Sequence, residues 1–153
     1  MQTNQRLDHQ TCFALYSAAR AATAAYRDSL AEIGLTYTQY VTLLALWEQD
    51  DRTVSELGAA LRLDSGTLSP LLKRMAANGL VERRREGEDG RRVTIHLTAA
   101  GHDLETQVAS IQRRLYDAVD MDAEELATLR ELAQRFCAST ADLAETTTEG
   151  APR

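Results

Sequence analysis

Apolar residues recur at helical spacing along most of this chain. Residues 5 to 32 contain no proline or glycine and repeat apolar side chains every three or four positions, and Gly34 follows as a helix terminator. A second apolar helix is predicted from Thr36, where Gln39 three residues later completes a capping-box pattern, through Trp47. The first third of the chain is therefore predicted to form two helices.

Two shorter helices follow a loop predicted at residues 49 to 52. Thr53 stands three residues before Glu56, which again fits a capping box at the start of a short helix. Asp64 or Ser65 is expected to cap the next helix. Its inward positions follow the i, i+3, i+4, i+7 pattern and are Leu68, Leu71, Leu72 and Met75.

The pattern then changes from helical to strand-like. Residues 80 to 84 and 92 to 97 have strand composition and flank the turn-rich segment 86 to 90, which predicts a β-hairpin. Two short helices joined by a tight turn and followed by a hairpin with a charged tip form a winged helix-turn-helix, whose second helix enters the major groove of DNA. The predicted fold class is mainly α (α+β).

Two more helices are predicted after the hairpin, one from Thr98 to about Val119 and one opening at Asp122. The expected organisation is two long helical arms, residues 1–34 and 99–146, around a compact central unit, residues 35–98. Residues 147–153 are expected to be a disordered tail.

Composition narrows the possible classes of protein. The chain has 153 residues, 44% of them apolar, which is enough for one domain with a real core. It contains neither an apolar run long enough to cross a membrane nor a secretory leader, so we expect a cytoplasmic protein. Two distant cysteines, Cys12 and Cys137, and three dispersed histidines offer no metal site, and no cofactor is expected.

The net charge of −6 argues against a nucleic-acid partner only when it is averaged over the chain. Residues 53 to 98 carry eight basic and six acidic side chains, a net charge of +2, which leaves −8 for the rest. The positive charge is concentrated where DNA phosphates would be met.

The helix opened at residue 65 has the polar groups that a recognition helix needs. Hydroxyl groups cluster in its first turns, where base edges would be contacted, and basic residues follow for phosphates. Arg91 at the hairpin tip has the reach to enter a minor groove. An arginine run alone is more often a solvated surface, but the preceding helix-turn-helix favours DNA contact. The candidate DNA-binding residues are Ser65, Thr67, Ser69, Pro70, Lys73, Arg74, Asp89, Arg91 and Arg92.

Four segments resemble one family of transcription regulators. The resemblance is carried by residues 12–17 (CFALYS), 35–40 (LTYTQY), 63–75 (LDSGTLSPLLKRM) and 88–93 (EDGRRV). These segments are similar to the MarR family, and most of all to its organic-hydroperoxide-sensing OhrR branch.

The resemblance implies a homodimer whose interleaved arms, residues 1–34 and 99–146, hold two DNA-binding lobes on a pseudo-palindromic double-stranded operator. It also implies that Asp89 orients Arg91 by an ion pair in the wing. Gly90 departs from the family pattern, where a charged residue is common, and would make the wing tip more flexible.

A thiol site is predicted on the first helix. Tyr16 is one turn after Cys12, and Tyr26, fourteen residues after Cys12, returns to the same stripe. Phenol O–H groups stabilise a thiolate, which is the form that attacks a peroxide. The resemblance implies that Cys12, Tyr16 and Tyr26 sense organic hydroperoxides.

Oxidised Cys12 is expected to form a disulfide with either a small thiol or Cys137, after which a repressor would release DNA. Cys137 shares a stripe with Phe136 and Thr140, so a packed structural role is also open.

A repressor released by a small aromatic or phenolic ligand, with Cys12 a bystander, is the alternative function. A thiol peroxidase would need a scaffold and a reductase site that the sequence lacks, so no enzyme is expected.

Overall fold

A computed structural model of the protein describes residues 6–86 and 92–148. A short 3-10 turn, Leu7–His9, precedes the first long helix. The elements in chain order are α1 (Thr11–Glu32), α2 (Tyr37–Glu48), β1 (Arg52–Thr53), α3 (Val54–Leu61), α4 (Ser65–Ala77), β2 (Val81–Glu86), β3 (Arg92–Leu97), α5 (Ala99–Ala118) and α6 (Ala123–Thr148). The mainly helical winged helix-turn-helix predicted from the sequence is confirmed.

Side-chain caps fix where the short helices begin. The Thr36 hydroxyl accepts from the Gln39 amide, and the Gln39 side chain accepts from the Thr36 amide at 2.8 Å. Thr53 and Glu56 form the same reciprocal box at the start of α3. Gly34 ends the α1 segment at φ +74°, which a residue without a Cβ adopts at no steric cost.

The sheet has three antiparallel strands in the order β1-β3-β2. The β2–β3 hairpin pairs Val81 with Leu97 and Glu86 with Arg92. The hairpin is confirmed, but its first strand continues to Glu86, which was predicted to lie in the turn. The loop prediction for residues 49 to 52 is wrong at its end, because Arg52 pairs with Ile95 and opens β1. So short a strand exists only because β3 supplies its hydrogen bonds from far along the chain, which no local pattern reveals.

The core lies in the winged lobe. The four predicted inward residues of α4 are buried, together with residues of α2 and β3. The largest fully buried side chains are Leu30, Leu43, Leu46, Leu57, Leu68, Leu72, Met75, Ile95, Val81, Val108, Thr42 and Thr94.

The chain divides into two compact units. One comprises residues 20 to 116, and the other comprises the residues up to Ala19 with those from Asp117 onward. The predicted arms and lobe therefore differ in extent from these units. The physical reason is that Leu30, Val108 and Ile111 are buried in the same core cluster as the residues of α2 and α4.

The last helix is longer than expected. α6 continues to Thr148, two residues into the expected tail, while residues 149–153 lie outside the described part. No proline or glycine interrupts residues 123 to 148, and an existing helix adds residues more easily than a new one starts. Among residues 6–86 and 92–148, none of the helices is long and apolar enough to cross a membrane.

Candidate DNA interface and thiol site

The N-terminus of α4 is fixed by Asp64. Its Oδ1 accepts from the Thr67 amide at 2.9 Å, and its Oδ2 accepts from the Thr67 hydroxyl at 2.8 Å. These hydrogen bonds hold the pKa of the Asp64 carboxyl below its usual range. The carboxylate therefore orders the first turn of the candidate recognition helix and orients one of its hydroxyl groups.

Beyond this cap, α4 has one buried and one exposed face. Leu68, Leu71, Leu72 and Met75 face the core, as predicted. The exposed residues include every predicted DNA-binding position on the helix: Ser65, Thr67, Ser69, Pro70, Lys73 and Arg74. This exposed row presents hydroxyl groups in the first turns, where the edges of DNA bases would be contacted. The basic side chains of Lys73 and Arg74 follow, where phosphates would be contacted.

A tight turn sets the position of α4 relative to α3. Arg62 adopts the left-handed conformation at φ +53°, and the Leu63 amide donates to the Gly58 carbonyl at 3.0 Å. A Cβ on Gly58 would lie 3.0 Å from the Leu63 carbonyl oxygen, so the turn needs a small residue here. The glycine thus lets the chain fold back closely between the two helices.

The wing supplies further positive charge. Arg83, Arg84 and Arg85 on β2 and Arg92 on β3 are exposed, and the Arg84 guanidinium pairs with the Glu82 carboxylate. Asp89 and Arg91, the predicted ion pair of the wing tip, lie outside the described residues. Their pairing stays a prediction.

The two cysteines are exposed free thiols. Cys12 lies in the first turn of α1, and Tyr16 follows one turn later on the same face. Cys137 lies on α6 and its carbonyl accepts a 3.3 Å bond from the Thr140 hydroxyl. The packed role considered for Cys137 is not seen in the single chain, where Phe136 is half-buried and the thiol is exposed.

Tyr26 belongs to the compact unit of residues 20 to 116, where it joins a cluster of tyrosines. Its ring stacks on Tyr40 with centroids 5.1 Å apart and meets Tyr37 edge-on at 5.6 Å. The Gln112 amide of α5 donates to the Tyr40 hydroxyl at 2.6 Å. Sequence reasoning missed Gln112, whose only signal is that it lies one turn after the buried Val108.

The hydroxyls of Tyr26 and Tyr37 stay protonated. Burial raises the pKa of Tyr26, and its hydrogen bond with Tyr40 raises it further. Burial likewise raises the pKa of Tyr37. Both groups therefore remain O–H donors throughout the physiological range.

With this geometry established, comparison with known proteins identifies the family. Residues 24–108 match the family model described as transcriptional regulator SarA/Rot. The chain belongs to this family of MarR-like winged-helix regulators. It is a transcriptional regulator, and members of the family are regulators rather than enzymes.

Two relatives illustrate the similarity. The regulator is 40% identical over 127 residues to the organic hydroperoxide resistance transcriptional regulator of Bacillus subtilis, covering 83% of this chain and 86% of the relative. It is 46% identical over 121 residues to the transcriptional regulator TtmR of Methylorubrum extorquens, covering 79% of this chain. The match spans only 62% of the length of TtmR.

Solved structures agree with the winged-helix fold and with a role in DNA binding. The regulator superimposes on reduced AbfR bound to DNA with a TM-score of 0.77 at 30% identity, over 91% of this chain and 95% of that one. Other structures of AbfR, a protein of Staphylococcus epidermidis, show an overoxidised form on DNA and a disulfide form.

Proposed function

We propose that this regulator is a homodimeric repressor that releases its operator when an organic hydroperoxide oxidises Cys12. The observation that carries the proposal is an exposed cysteine in the first turn of α1, one turn before Tyr16, in a chain 40% identical to an organic hydroperoxide resistance regulator. An exposed thiol is accessible to a dissolved oxidant.

DNA binding is assigned to the lobe of residues 35–98. The exposed row of α4 enters the major groove, and the wing arginines contact the flanking backbone and groove. Support comes from the separation of the buried and exposed faces of α4 and from the net charge of +2 over residues 53 to 98. The operator is a pseudo-palindromic duplex because two identical lobes read it.

Dimerisation is assigned to the arms, residues 1–34 and 99–146. Large exposed apolar side chains are concentrated in the unit formed by the two chain ends, which would be an unusual surface for a monomer. They are Leu7, Phe13, Tyr16, Val119, Met121, Leu129 and Leu132. A second copy of the chain would cover them.

The redox step follows the ordinary chemistry of thiols. The Cys12 thiolate attacks the terminal oxygen of the hydroperoxide and the O–O bond breaks, which gives a sulfenic acid and an alkoxide that takes a proton from water to become the alcohol. Cysteine sulfur is oxidised and the peroxide is reduced. A hydroxyl donor, which we assign to Tyr16, stabilises the thiolate before attack. Tyr26 lies fourteen residues from Cys12 on the same helix, a rise of about 21 Å, so we assign its hydroxyl to Cys12 of the second copy in the proposed dimer.

The sulfenic acid then condenses with a second thiol, forming a disulfide and releasing water. The second thiol is either a small cellular thiol or Cys137, whose exposure on α6 leaves it accessible. The structures of AbfR in reduced, overoxidised and disulfide forms support this proposal.

The first experiment uses a duplex selected by the reduced protein from a random library. Binding is measured by fluorescence anisotropy before and after one equivalent of cumene hydroperoxide, with and without a small thiol, and intact mass is recorded in parallel. We expect peroxide to release the duplex from the wild type and from Cys137→Ser when a small thiol is present. Cys12→Ser should bind the duplex and should remain bound after peroxide is added.

Mass separates the two disulfide routes. A covalent dimer that disappears in Cys137→Ser assigns Cys137 as the resolving residue, and a monomer heavier by one small thiol assigns a one-cysteine sensor. Release of DNA from Cys12→Ser at the wild-type peroxide concentration contradicts the redox proposal. Tyr26→Phe should slow the oxidation of Cys12 without changing DNA affinity.

The DNA interface is tested by salt dependence. Lys73→Ala should weaken binding and reduce the slope of log affinity against log salt by about one, because one phosphate contact is lost. Arg130→Ala removes the same charge from an exposed position on α6 and should leave the slope unchanged. Equal slopes for wild type and Lys73→Ala would remove Lys73 from the interface.

A cavity in the compact unit of residues 20 to 116 favours a second candidate function, which is release of DNA by a small aromatic or phenolic ligand. The cavity has a volume of about 280 Å³ and is lined by Thr23, Arg27, Ala31, Leu35, Thr36 and Tyr37. Its apolar wall with one guanidinium suits a small aromatic acid. Salicylate would then release DNA equally from wild type and Cys12→Ser, whereas peroxide would act on neither.

A further inference from the structure

Two consecutive acids after α2 hold the base of the wing. Asp50 Oδ1 accepts from the Leu97 backbone amide at 2.9 Å. Asp51 Oδ1 lies 3.2 Å from His96 Nε2. Both contacts link residues more than forty positions apart, so this turn ties the end of α2 to β3.

The His96 ring lies in a polar position inside the lobe. His96 is 7% exposed, and its Nε2 is 2.9 Å from the hydroxyl of Thr94, which is fully buried. Residues two apart on a strand share a face, so Thr94 and His96 point the same way. Asp51 brings a carboxylate to this nearly buried imidazole.

The other charged groups on the packed elements have their own contacts. Glu82 of β2 is opposite His96 in the sheet and pairs with Arg84. The one acid of α2, Glu48, is 3.7 Å from Arg52, and the one acid of α3, Glu56, is bound to Thr53. The wing arginines Arg83, Arg85 and Arg92 are exposed.

The backbone at Asp51 marks this turn as unusual. Asp51 has φ +59°, in the left-handed region that residues with a Cβ seldom occupy, although aspartate and asparagine tolerate it best. Such conformations persist where surrounding contacts over-determine them, and they concentrate at functional positions. Here the conformation places the Asp51 carboxylate against His96.

We propose that Asp51 and His96 form a pH-sensitive clamp that positions the wing against α2 and thereby tunes affinity for DNA. Imidazole is the side chain whose charge ordinarily changes between about pH 5 and pH 8. Protonation adds a positive charge to the imidazole, so its contact with the Asp51 carboxylate becomes an ion pair, which holds β3 more firmly. A wing held in place loses less conformational freedom when it meets DNA.

The clamp rests on the proposed DNA-binding role of the lobe and is independent of the cysteine chemistry. Asp51 and His96 are positioning residues, since neither is assigned a contact with DNA. Lower pH therefore favours binding through the clamp.

The test measures the affinity of the reduced, full-length protein for its selected duplex between about pH 6 and pH 8. We expect wild-type affinity to fall by roughly two- to fivefold over this range through the clamp, the size of a partly exposed ion pair. Asp51→Asn keeps a residue that tolerates positive φ, so it should fold. We expect its affinity to match that of the wild type at the high end of the range, with no such fall.

Matched controls isolate the contact. Asp50→Asn removes the same charge from the neighbouring residue while keeping an acceptor for the Leu97 amide, and His102→Gln removes an exposed histidine of α5. Both should retain the wild-type pH dependence, whereas His96→Gln should lose it. Circular dichroism melts verify that each variant is folded.

The outcomes separate the two proposals. Duplex binding with the same pH dependence in wild type and Asp51→Asn overturns the clamp and leaves the proposed function standing. Absence of binding to any selected duplex at every pH overturns the proposed DNA-binding function and the clamp with it. Loss of pH dependence in Asp50→Asn as well as in Asp51→Asn also overturns the clamp, because a general charge effect then explains the result.

Discussion

The Tyr40 hydroxyl of α2 is bonded both to Gln112 of α5 and to Tyr26 of α1. Tyr40 is 3% exposed, and its hydroxyl accepts from the Gln112 side chain at 2.6 Å. Tyr40→Phe should lower the free energy of unfolding by about 1–3 kcal/mol, since a half-buried amide loses its partner. Urea denaturation measures the change. Tyr116→Phe removes the same group from an exposed ring and should stay within about 0.5 kcal/mol of wild type.

Two helix-cap carboxylates make the stability of the fold depend on pH in the acidic range. Hydrogen bonds from Thr53 lower the pKa of Glu56, and hydrogen bonds from Thr67 lower that of Asp64. Because the folded-state pKa values are below the unfolded ones, this stabilisation is present above the unfolded values and is lost as pH falls through the folded ones. The urea midpoint of Asp64→Asn should therefore decrease less than that of wild type below about pH 4.

The matched control for the cap is Glu105→Gln, which removes an exposed carboxylate within α5 that caps no helix. It should keep the acid sensitivity of wild type. If Asp64→Asn loses stability with acid as steeply as wild type, the cap carboxylate makes no contribution through its pKa.

At the scale of elements, Gly101 allows α5 to begin against the base of the wing. A Cβ at this position would collide with the Leu80 carbonyl oxygen, and the Gly101 carbonyl accepts from Trp47 Nε1 at 3.0 Å. Gly101→Ala should destabilise the fold by about 2 kcal/mol despite the better helix propensity of alanine, because the backbone must shift. Thermal unfolding measures the effect.

Gly66→Ala is the comparison for this substitution. Its Cβ would meet only Asp64 Oδ1, a side-chain atom at 3.0 Å rather than backbone, so its stability should remain within about 1 kcal/mol of wild type. Equal stabilities for the two alanine variants would contradict the close approach at Gly101.

Elements specified by local pattern were predictable from the sequence. The capping boxes at Thr36 and Thr53, the buried row of α4 and the hairpin each depend on residues within one element or two adjacent ones. Elements that depend on distant partners were not. β1 has only two residues and exists through its pairing with β3.

The candidate sites divide in the same way. The exposed row of α4 follows from helical spacing once Leu68 and Leu72 are known to face inward. Gln112 reaches Tyr40 across seventy-two positions of the sequence, and Asp51 reaches His96 across a turn whose backbone conformation no composition rule specifies. Tertiary contacts of this kind need the folded chain.

At the scale of the whole molecule, charge is distributed unevenly. Residues 53 to 98 carry a net charge of +2 and the remaining residues carry −8. The basic segment of residues 53 to 98 on an otherwise acidic protein keeps DNA contacts local, because like-charged phosphates repel the rest of the surface. The distribution therefore agrees with the proposed division between DNA-binding lobe and dimerisation arms.

The proposed dimer predicts how a charge on α6 would act. Leu132 is 54% exposed and, with Met121 and Leu129, lines a groove of about 440 Å³. In a monomer Leu132→Asp would cost little, because the side chain faces water. In a dimer it would bury an unpaired carboxylate, so self-association should weaken on the order of a hundredfold.

Size-exclusion chromatography with light scattering measures this change over a range of protein concentrations. The wild type should run as a dimer, Leu132→Asp should dissociate at concentrations where the wild type does not, and its affinity for a two-site duplex should fall with it. Gln134→Asp introduces the same charge two residues away, in place of a polar side chain, and should remain dimeric. If the Leu132→Asp protein is as dimeric as the Gln134→Asp protein, this face of α6 is not part of the interface. A carboxylate buried in the interface would weaken the dimer.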